Sequence, residues 1–212
     1  MFRRYRTPEK GEFFVVFADT AVGGGDYCAV QFLSKDKLDV PIIYHSKISA
    51  VMMTPLLHQE LEKIYDLTNV QPIVAYERNN GGWSELERLS VLNKNQKYIV
   101  YEQTGTNGRK TGKLGWDTNT ATRPKMLQDL QECINSKLIT IYDRPTINEL
   151  FSFITNKNGK PEAEKNAHDD LVMALAGVWQ LYQTEKKPQK IDYLAAIREL
   201  PKEDLFDNNG LY

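Results

Sequence analysis

Cysteine is scarce: only Cys28 and Cys133 occur in 212 residues. They form neither a CxxC pair nor a disulfide framework, so structural zinc and oxidative stapling both lose support and stability has to come from packing. Long apolar runs are missing as well. The best, Phe13 to Ala18, falls far short of the roughly 18 residues that a membrane span needs. The formal net charge is only -1, so a nucleic-acid partner would have to be met by basic residues concentrated locally and not by a global field. No helix-turn-helix, zinc finger or other base-reading motif appears, which argues for low sequence specificity if DNA is bound. There is no internal repeat and no low-complexity segment. The opening Met-Phe-Arg-Arg-Tyr-Arg is basic. Thr-Pro-Glu-Lys-Gly-Glu follows where a secretory signal would carry its apolar region, so the expected location is intracellular, with no membrane partner.

What is present is ordinary globular composition, 41% hydrophobic and 26% charged, enough for one sizeable core. That domain is expected over residues 1–185. Residues 186–212 read as a charged, proline-punctuated tail with one short helix at about 192–200.

Glu12 to Thr20 contains an unbroken β-prone run that predicts a buried central strand ending at Asp19. Val22-Gly-Gly-Gly-Asp26 is a turn. Strands at Asp26 to Leu33 and Asp39 to Ser46 complete an antiparallel meander. The pattern then changes. Thr54-Pro55 predicts a helix start, with apolar spacing to about Asn69. Pro72 to Glu77 is a strand, Ser84 caps a helix to about Leu92, and Tyr98 to Tyr101 is a further strand. This order implies parallel pairing. Thr104 to Ala121 reads as an irregular surface loop. Arg123 to Ser136 has helical spacing, Leu138 to Ile141 is a short strand, and Thr146 to Phe151 begins a helix or leads into a strand. Asn156 to Lys160 is a hairpin turn, and the last strong helix spans about His168 to Gln183. The sum is an α/β fold with a mixed sheet, a three-strand antiparallel meander plus parallel strands, flanked by helices.

Acidic residues stand where these elements end. Asp19 closes the first strand, Glu77 the fourth, and Asp169-Asp170 opens the last helix. A carboxylate at the end of an apolar run is costly near a core without a compensating cation. The only basic residue in these motifs, Arg78, points away from Glu77 by strand alternation. Oxygen-only ligands select hard cations, Mg²⁺ or Mn²⁺. Two such ions bridged by an aspartate would activate a water and stabilise the leaving oxygen of a phosphodiester. Taken singly, Asp19 also suits a turn and Asp169 or Asp170 an N-cap. Glu77 is harder to explain that way, because glutamate is depleted in strands.

Asp19-Thr-Ala-Val-Gly-Gly-Gly-Asp-Tyr, Tyr-Glu77-Arg-Asn-Asn-Gly-Gly and His168-Asp-Asp-Leu-Val-Met-Ala resemble, in order and spacing, the three nuclease motifs of tailed-bacteriophage large terminase subunits. The resemblance runs from about Phe13 to Gln183. It implies a ribonuclease H-like nuclease domain in which Asp19, Glu77, Asp169 and Asp170 are the catalytic, metal-holding acids, the main ligand of the last pair being either Asp169 or Asp170. His168 would orient a ligand or water, unless it is a surface or capping residue. The resemblance also implies duplex DNA as substrate, cutting during genome packaging in the cytoplasm of the infected host cell. Its partners would be a packaging ATPase domain that these residues do not include, a portal and a small terminase subunit.

Between Thr104 and Lys125 stand Arg109, Lys110, Lys113, Arg123 and Lys125 against Asp117 alone, with Trp116 interleaved. Beside a carboxylate site this charge suits phosphate contact, the alternative being a solvated loop. Lys157 and Lys160 are a second candidate DNA contact, weakened by nearby Glu162 and Glu164. Two rivals to the packaging nuclease remain: a resolvase- or transposase-like nuclease of the same fold, and a non-catalytic DNA-binding or docking module.

Gly105 to Lys113 imitates a nucleotide-binding GxxxxGK[ST] loop, but six residues separate Gly105 from Gly112 and Leu114 stands where the Mg²⁺-binding hydroxyl belongs. Calorimetry should therefore detect no saturable ATP binding. Saturable heats that vanish in Lys113→Ala would overturn this.

Overall fold

Phe14, Val15, Val16, Phe17 and Ala18 are each at most 1% exposed, so both faces of this segment are covered and a continuous apolar run is required instead of an alternating one. Around it the computed structural model describes residues 1–21, 27–79, 81–105, 109–155, 161–163 and 168–188. Along the chain lie β1 (Arg3–Arg4), β2 (Phe14–Asp19), β3 (Cys28–Ser34), β4 (Asp39–Ser46), α1 (Ala50–Thr68), β5 (Ile73–Tyr76), α2 (Gly82–Leu92) and β6 (Ile99–Val100). There follow β7 (Glu102–Thr104), β8 (Lys110–Leu114), α3 (Thr122–Asn135), β9 (Thr140–Ile141), α4 (Arg144–Ser152), β10 (Phe153–Thr155), β11 (Pro161–Ala163) and α5 (Asp170–Thr184).

The main sheet has the order β1-β4-β3-β2-β5-β6, with β9 also pairing to β4. β2, β3 and β4 form the expected antiparallel meander. β5 pairs parallel to β2, and β6 parallel to β5. Strand alternation splits β2 between two cores. Phe13, Val15 and Phe17 pack with α3 and α5 residues such as Met126, Leu130, Leu171 and Leu175. Phe14, Val16 and Ala18 pack with Met53, Leu57, Leu61, Leu86 and Leu89 of α1 and α2. The mixed sheet flanked by helices is the arrangement expected from the order of elements.

Several boundaries differ from expectation for identifiable reasons. α1 starts four residues before Thr54, with Ser49 as N-cap, and Pro55 lies inside it. Proline cannot donate to the carbonyl four residues back, and that carbonyl, Val51 O, instead accepts from Arg88 Nη1 at 2.8 Å. Thr54 bonds backward to Ala50 O at 2.9 Å. Gly81, at φ 80°, caps α2 in place of Ser84, whose hydroxyl donates to Gly81 O at 2.9 Å. The segment read as an irregular loop carries the antiparallel β7–β8 hairpin. Lys113 is on a strand of that hairpin and not at the start of a helix. The next uncertain segment resolves into α4, capped by Asp143 accepting from Thr146 N at 3.0 Å, followed by β10. The tip at 156–160, the glycine-rich turn at 22–26 and the tail helix at 192–200 lie outside the described residues.

The basic N-terminus is consumed internally. Arg3 Nε pairs with the fully buried Asp143 at 2.6 Å, Arg4 pairs with Glu60, and Arg6 pairs with Asp39 and Glu12. No helix among the described residues is long and apolar enough to cross a membrane.

α5 is buried from Leu171 to Leu181. Its carboxyl end is held by Lys35, whose ammonium donates to Tyr182 O and Glu185 O, a cation where the helix dipole favours one. Gly177 lets α5 approach β2 closely: a Cβ there would stand 2.4 Å from Phe17 Cδ1. In Gly177→Ala the overpacking cost, at the upper end of about 1–3 kcal/mol, should outweigh the roughly 1 kcal/mol gained in helix propensity. Denaturant unfolding should show a net loss of about 2 kcal/mol. An unchanged midpoint would mean that α5 can back away from Phe17.

Candidate metal centre

Parallel pairing of β2 with β5 sets Ala18 opposite Tyr76, and Glu77 N continues the ladder by donating to Ala18 O at 2.9 Å. Asp19 and Glu77 are therefore next-door neighbours at the ends of adjacent strands, about 4.8 Å apart in backbone. They share the face of Phe17 and Ala75, the face that α5 covers. α5 begins at the same end, so Asp169 and Asp170 face the two strand-end acids. The charges of Asp170 and Asp169 both act on Asp19. Asp19 and Glu77 thus lie at the end of the sheet where Asp169 and Asp170 open α5.

The electrostatics follow from that crowding. Burial first, then the charge of Glu77 and a hydrogen bond shared with it, push the Asp19 carboxyl well above the usual carboxylate range. A fifth acid, Glu149 of α4, also belongs here. Burial raises it to about 7, and the charges of Asp170 and Asp169 act in the same direction. Sequence reasoning missed Glu149, because only tertiary packing brings it to α5 and its own segment gave no firm helix. It also found no cation among the acids, yet Arg123 Nη2 stands 2.9 Å from Asp169 Oδ2. Arg123, expected on DNA, is at the centre itself.

The supporting groups are close-fitted. Asn79 Nδ2 donates to Glu77 Oε1 and to Thr118 O, both at 2.9 Å. A Cβ on Gly82 would lie 1.8 Å from Glu77 O, so the start of α2 packs on the backbone of that acid as only glycine permits. His168 Nδ1 is 3.7 Å from Asp170 Oδ2, too long for a hydrogen bond, and its ring meets Tyr27 edge-on at 4.9 Å.

The donor set fits a hard divalent cation, since it is all oxygen and carries more negative charge than Arg123 neutralises. Among the described residues no three His, Cys, Asp or Glu side chains close on one point as they stand. Glu77 is turned to Asn79 and Asp169 to Arg123. Ion binding would require both side chains to swing inward.

The expected DNA-contact residues divide. Lys110 and Lys113 are exposed on β8, next to Arg109. The hairpin rises beside Glu77, because Trp116 bridges to Glu77 and Arg78 N donates to Trp116 O at 2.9 Å. Arg78 itself pairs with Asp117 at 2.7 Å. Trp116 is half-buried against the core, its Nε1 3.1 Å from Met126 Sδ, so it is a packing residue and not an aromatic laid out for bases. Lys125 is paired with Asp129 at 2.6 Å. Lys157 and Lys160 lie outside the described residues.

A raised carboxyl stabilises the fold when protonated, fully so below its unfolded value, and that contribution is lost as pH rises through the folded value. Asp19 and Glu149 act in this same direction, Glu149 between its ordinary 4.5 and about 7. In chelator, Asp19→Asn should therefore melt above wild type at pH 8, with the gap closing toward pH 4.5. Mn²⁺ should raise the melting point of wild type far more than that of the variant. A variant that melts below wild type at pH 8 would refute the crowding.

No family model matches the chain, and no curated protein matches it. Solved structures do. The large terminase nuclease of the thermophilic phage G20c with bound magnesium superposes with a TM-score of 0.58 at 14% identity, covering 87% of this chain and 86% of that one. The P22 large terminase nuclease domain gives 0.55 at 12% identity, covering 85% and 86%. The human cytomegalovirus terminase nuclease domain gives 0.58 at 13%, covering 89% and 87%. With the acids of β2, β5 and α5 gathered at one end of this sheet, the chain has the ribonuclease H-like fold of the large terminase nuclease domains.

Proposed function

We propose that the chain is a divalent-cation-dependent endonuclease acting on duplex DNA, the cutting module of a genome-packaging terminase. One observation carries this reading: Asp19 and Glu77 lie side by side at the strand ends where α5 begins, and burial together with the charges of Glu77, Asp170 and Asp169 raises the Asp19 carboxyl. The fold likeness supports it, and the G20c nuclease is described with bound magnesium and the cytomegalovirus domain with a manganese soak.

Asp19, Glu77, Asp169 and Asp170 would hold the cations, two ions of Mg²⁺ or Mn²⁺ in this reading. Cations bound there would supply electrophilic stabilisation of the phosphodiester oxygens and make water a better nucleophile. The chain's own groups do the rest. Asn79 holds Glu77 and Arg123 neutralises Asp169 in the cation-free protein. Arg109, Lys110 and Lys113 hold the DNA backbone beside the acids without reading bases. The partners in this reading are a packaging ATPase domain, a portal and a small terminase subunit, in the cytoplasm of an infected cell.

Plasmid nicking should require Mn²⁺ or Mg²⁺, stop with EDTA, and fall to background in Asp19→Asn and Glu77→Gln while both variants stay folded. Near-normal nicking by Asp19→Asn in Mn²⁺ would sink the assignment. In Ca²⁺, the double variant Lys110→Ala with Lys113→Ala should bind duplexes of any sequence more weakly. Its salt dependence should flatten by about 1.8 in logarithmic slope, about 0.9 for each lost phosphate contact. Identical slopes would return the hairpin to a solvated surface.

A further inference from the structure

A residue in the position of Asp169, immediately before an α-helix, ordinarily turns its side chain back to accept the free N–H groups of the first turn. Here it does not. Asp169 is the N-cap residue of α5, with its carbonyl accepting from Met173 N at 2.8 Å, but its side chain makes no capping hydrogen bond and reaches to Arg123. The free donors are satisfied from another helix. Glu149 Oε2 accepts from Leu171 N at 2.9 Å, and the Val172 N–H acts on the same carboxylate. Its other oxygen lies 3.9 Å from His45 Nε2, a buried nitrogen with no hydrogen-bond partner. Gln31 of β3 secures the same turn, its Nε2 donating to Leu171 O at 3.3 Å and to Thr146 Oγ1 at 3.2 Å. Glu149 itself is only 13% exposed, so its carboxylate is fixed in place.

We propose that Glu149 is a positioning residue that caps α5 in place of Asp169, so that the Asp169 side chain is not spent on the helix backbone and can take up a cation. This deepens the nuclease reading and rests on it for the cations, but the cap is a property of the protein alone. It explains how Asp169 can stand at the start of a helix without its side chain being tied to the backbone there. Without Glu149, Asp169 becomes the nearest acceptor for Leu171 and Val172 N–H and is drawn away from the ions.

The test measures amide hydrogen exchange of Leu171 and Val172 by NMR, together with Mn²⁺ affinity by electron paramagnetic resonance, in wild type, Glu149→Ala and Glu149→Gln. Glu149→Ala should speed exchange at both amides about five- to tenfold and weaken Mn²⁺ binding about tenfold, the scale seen when a group orienting a metal ligand is lost. Glu149→Gln keeps an acceptor oxygen and should restore both. A merely structural loss would lower stability without this split. If Glu149→Ala leaves both amides protected, or binds Mn²⁺ like wild type, the proposal is overturned. If Glu149 itself held the metal, Glu149→Gln would lose Mn²⁺ while keeping its amides protected, which would also overturn it. Protected amides in a wild type that binds no Mn²⁺ at all would instead bring down the nuclease reading, and the positioning role with it.

Discussion

Two carboxylates held side by side at the ends of parallel strands are the constraint on which the rest of the molecule depends. The β2–β5 register fixes the backbones of Asp19 and Glu77 side by side, about 4.8 Å apart. Like charges at that distance are tolerated only through a shared proton or an added cation. Burial and the charge of Glu77 raise the Asp19 carboxyl in that direction, and the oxygen-rich surroundings suit a cation. Arg123 is a partial answer built into the chain, since it reaches Asp169 and not Asp19.

Much of the remaining structure holds that arrangement in place. α5 is locked at both ends, by Lys35 on its last carbonyls and by Glu149 and Gln31 on its first turn. Gly177 lets its middle sit on Phe17. The N-terminal arginines serve the same end: Arg3 and Tyr5 both bond Asp143, which in turn caps α4, the helix that carries Glu149. Removing one partner of such a buried ion pair typically costs about 3–5 kcal/mol. These cations are therefore structural, whereas Lys110 and Lys113 stand exposed on the β7–β8 hairpin.

The features legible in the sequence were those set by local rules. The apolar run of β2, the meander and the parallel β5 and β6 follow from strand patterning and the order of elements. The acids stood out because each ended an element. What escaped was decided by contacts between distant residues. Pro55 looked like a helix start because the Arg88 guanidinium that satisfies the orphaned Val51 carbonyl is invisible locally. The β7–β8 strands are polar and exposed on most positions, so they carry no apolar alternation. Glu149 and Arg123 join the acids only through the packing of α4 and α3 against α5. Asn79 was within reach, two residues beyond Glu77 with glycines following, a sign that the chain turns back on that acid.

The central claim is that these four carboxylates form one cation site despite their present partners. Anomalous diffraction from crystals of the protein soaked in Mn²⁺ tests it most directly. The account predicts manganese peaks within ligand distance of Asp19, flanked by Glu77 and Asp170, with Asp169 moved off Arg123. Peaks elsewhere, or an Asp19–Glu77 pair unchanged and without manganese at saturating concentration, would contradict it.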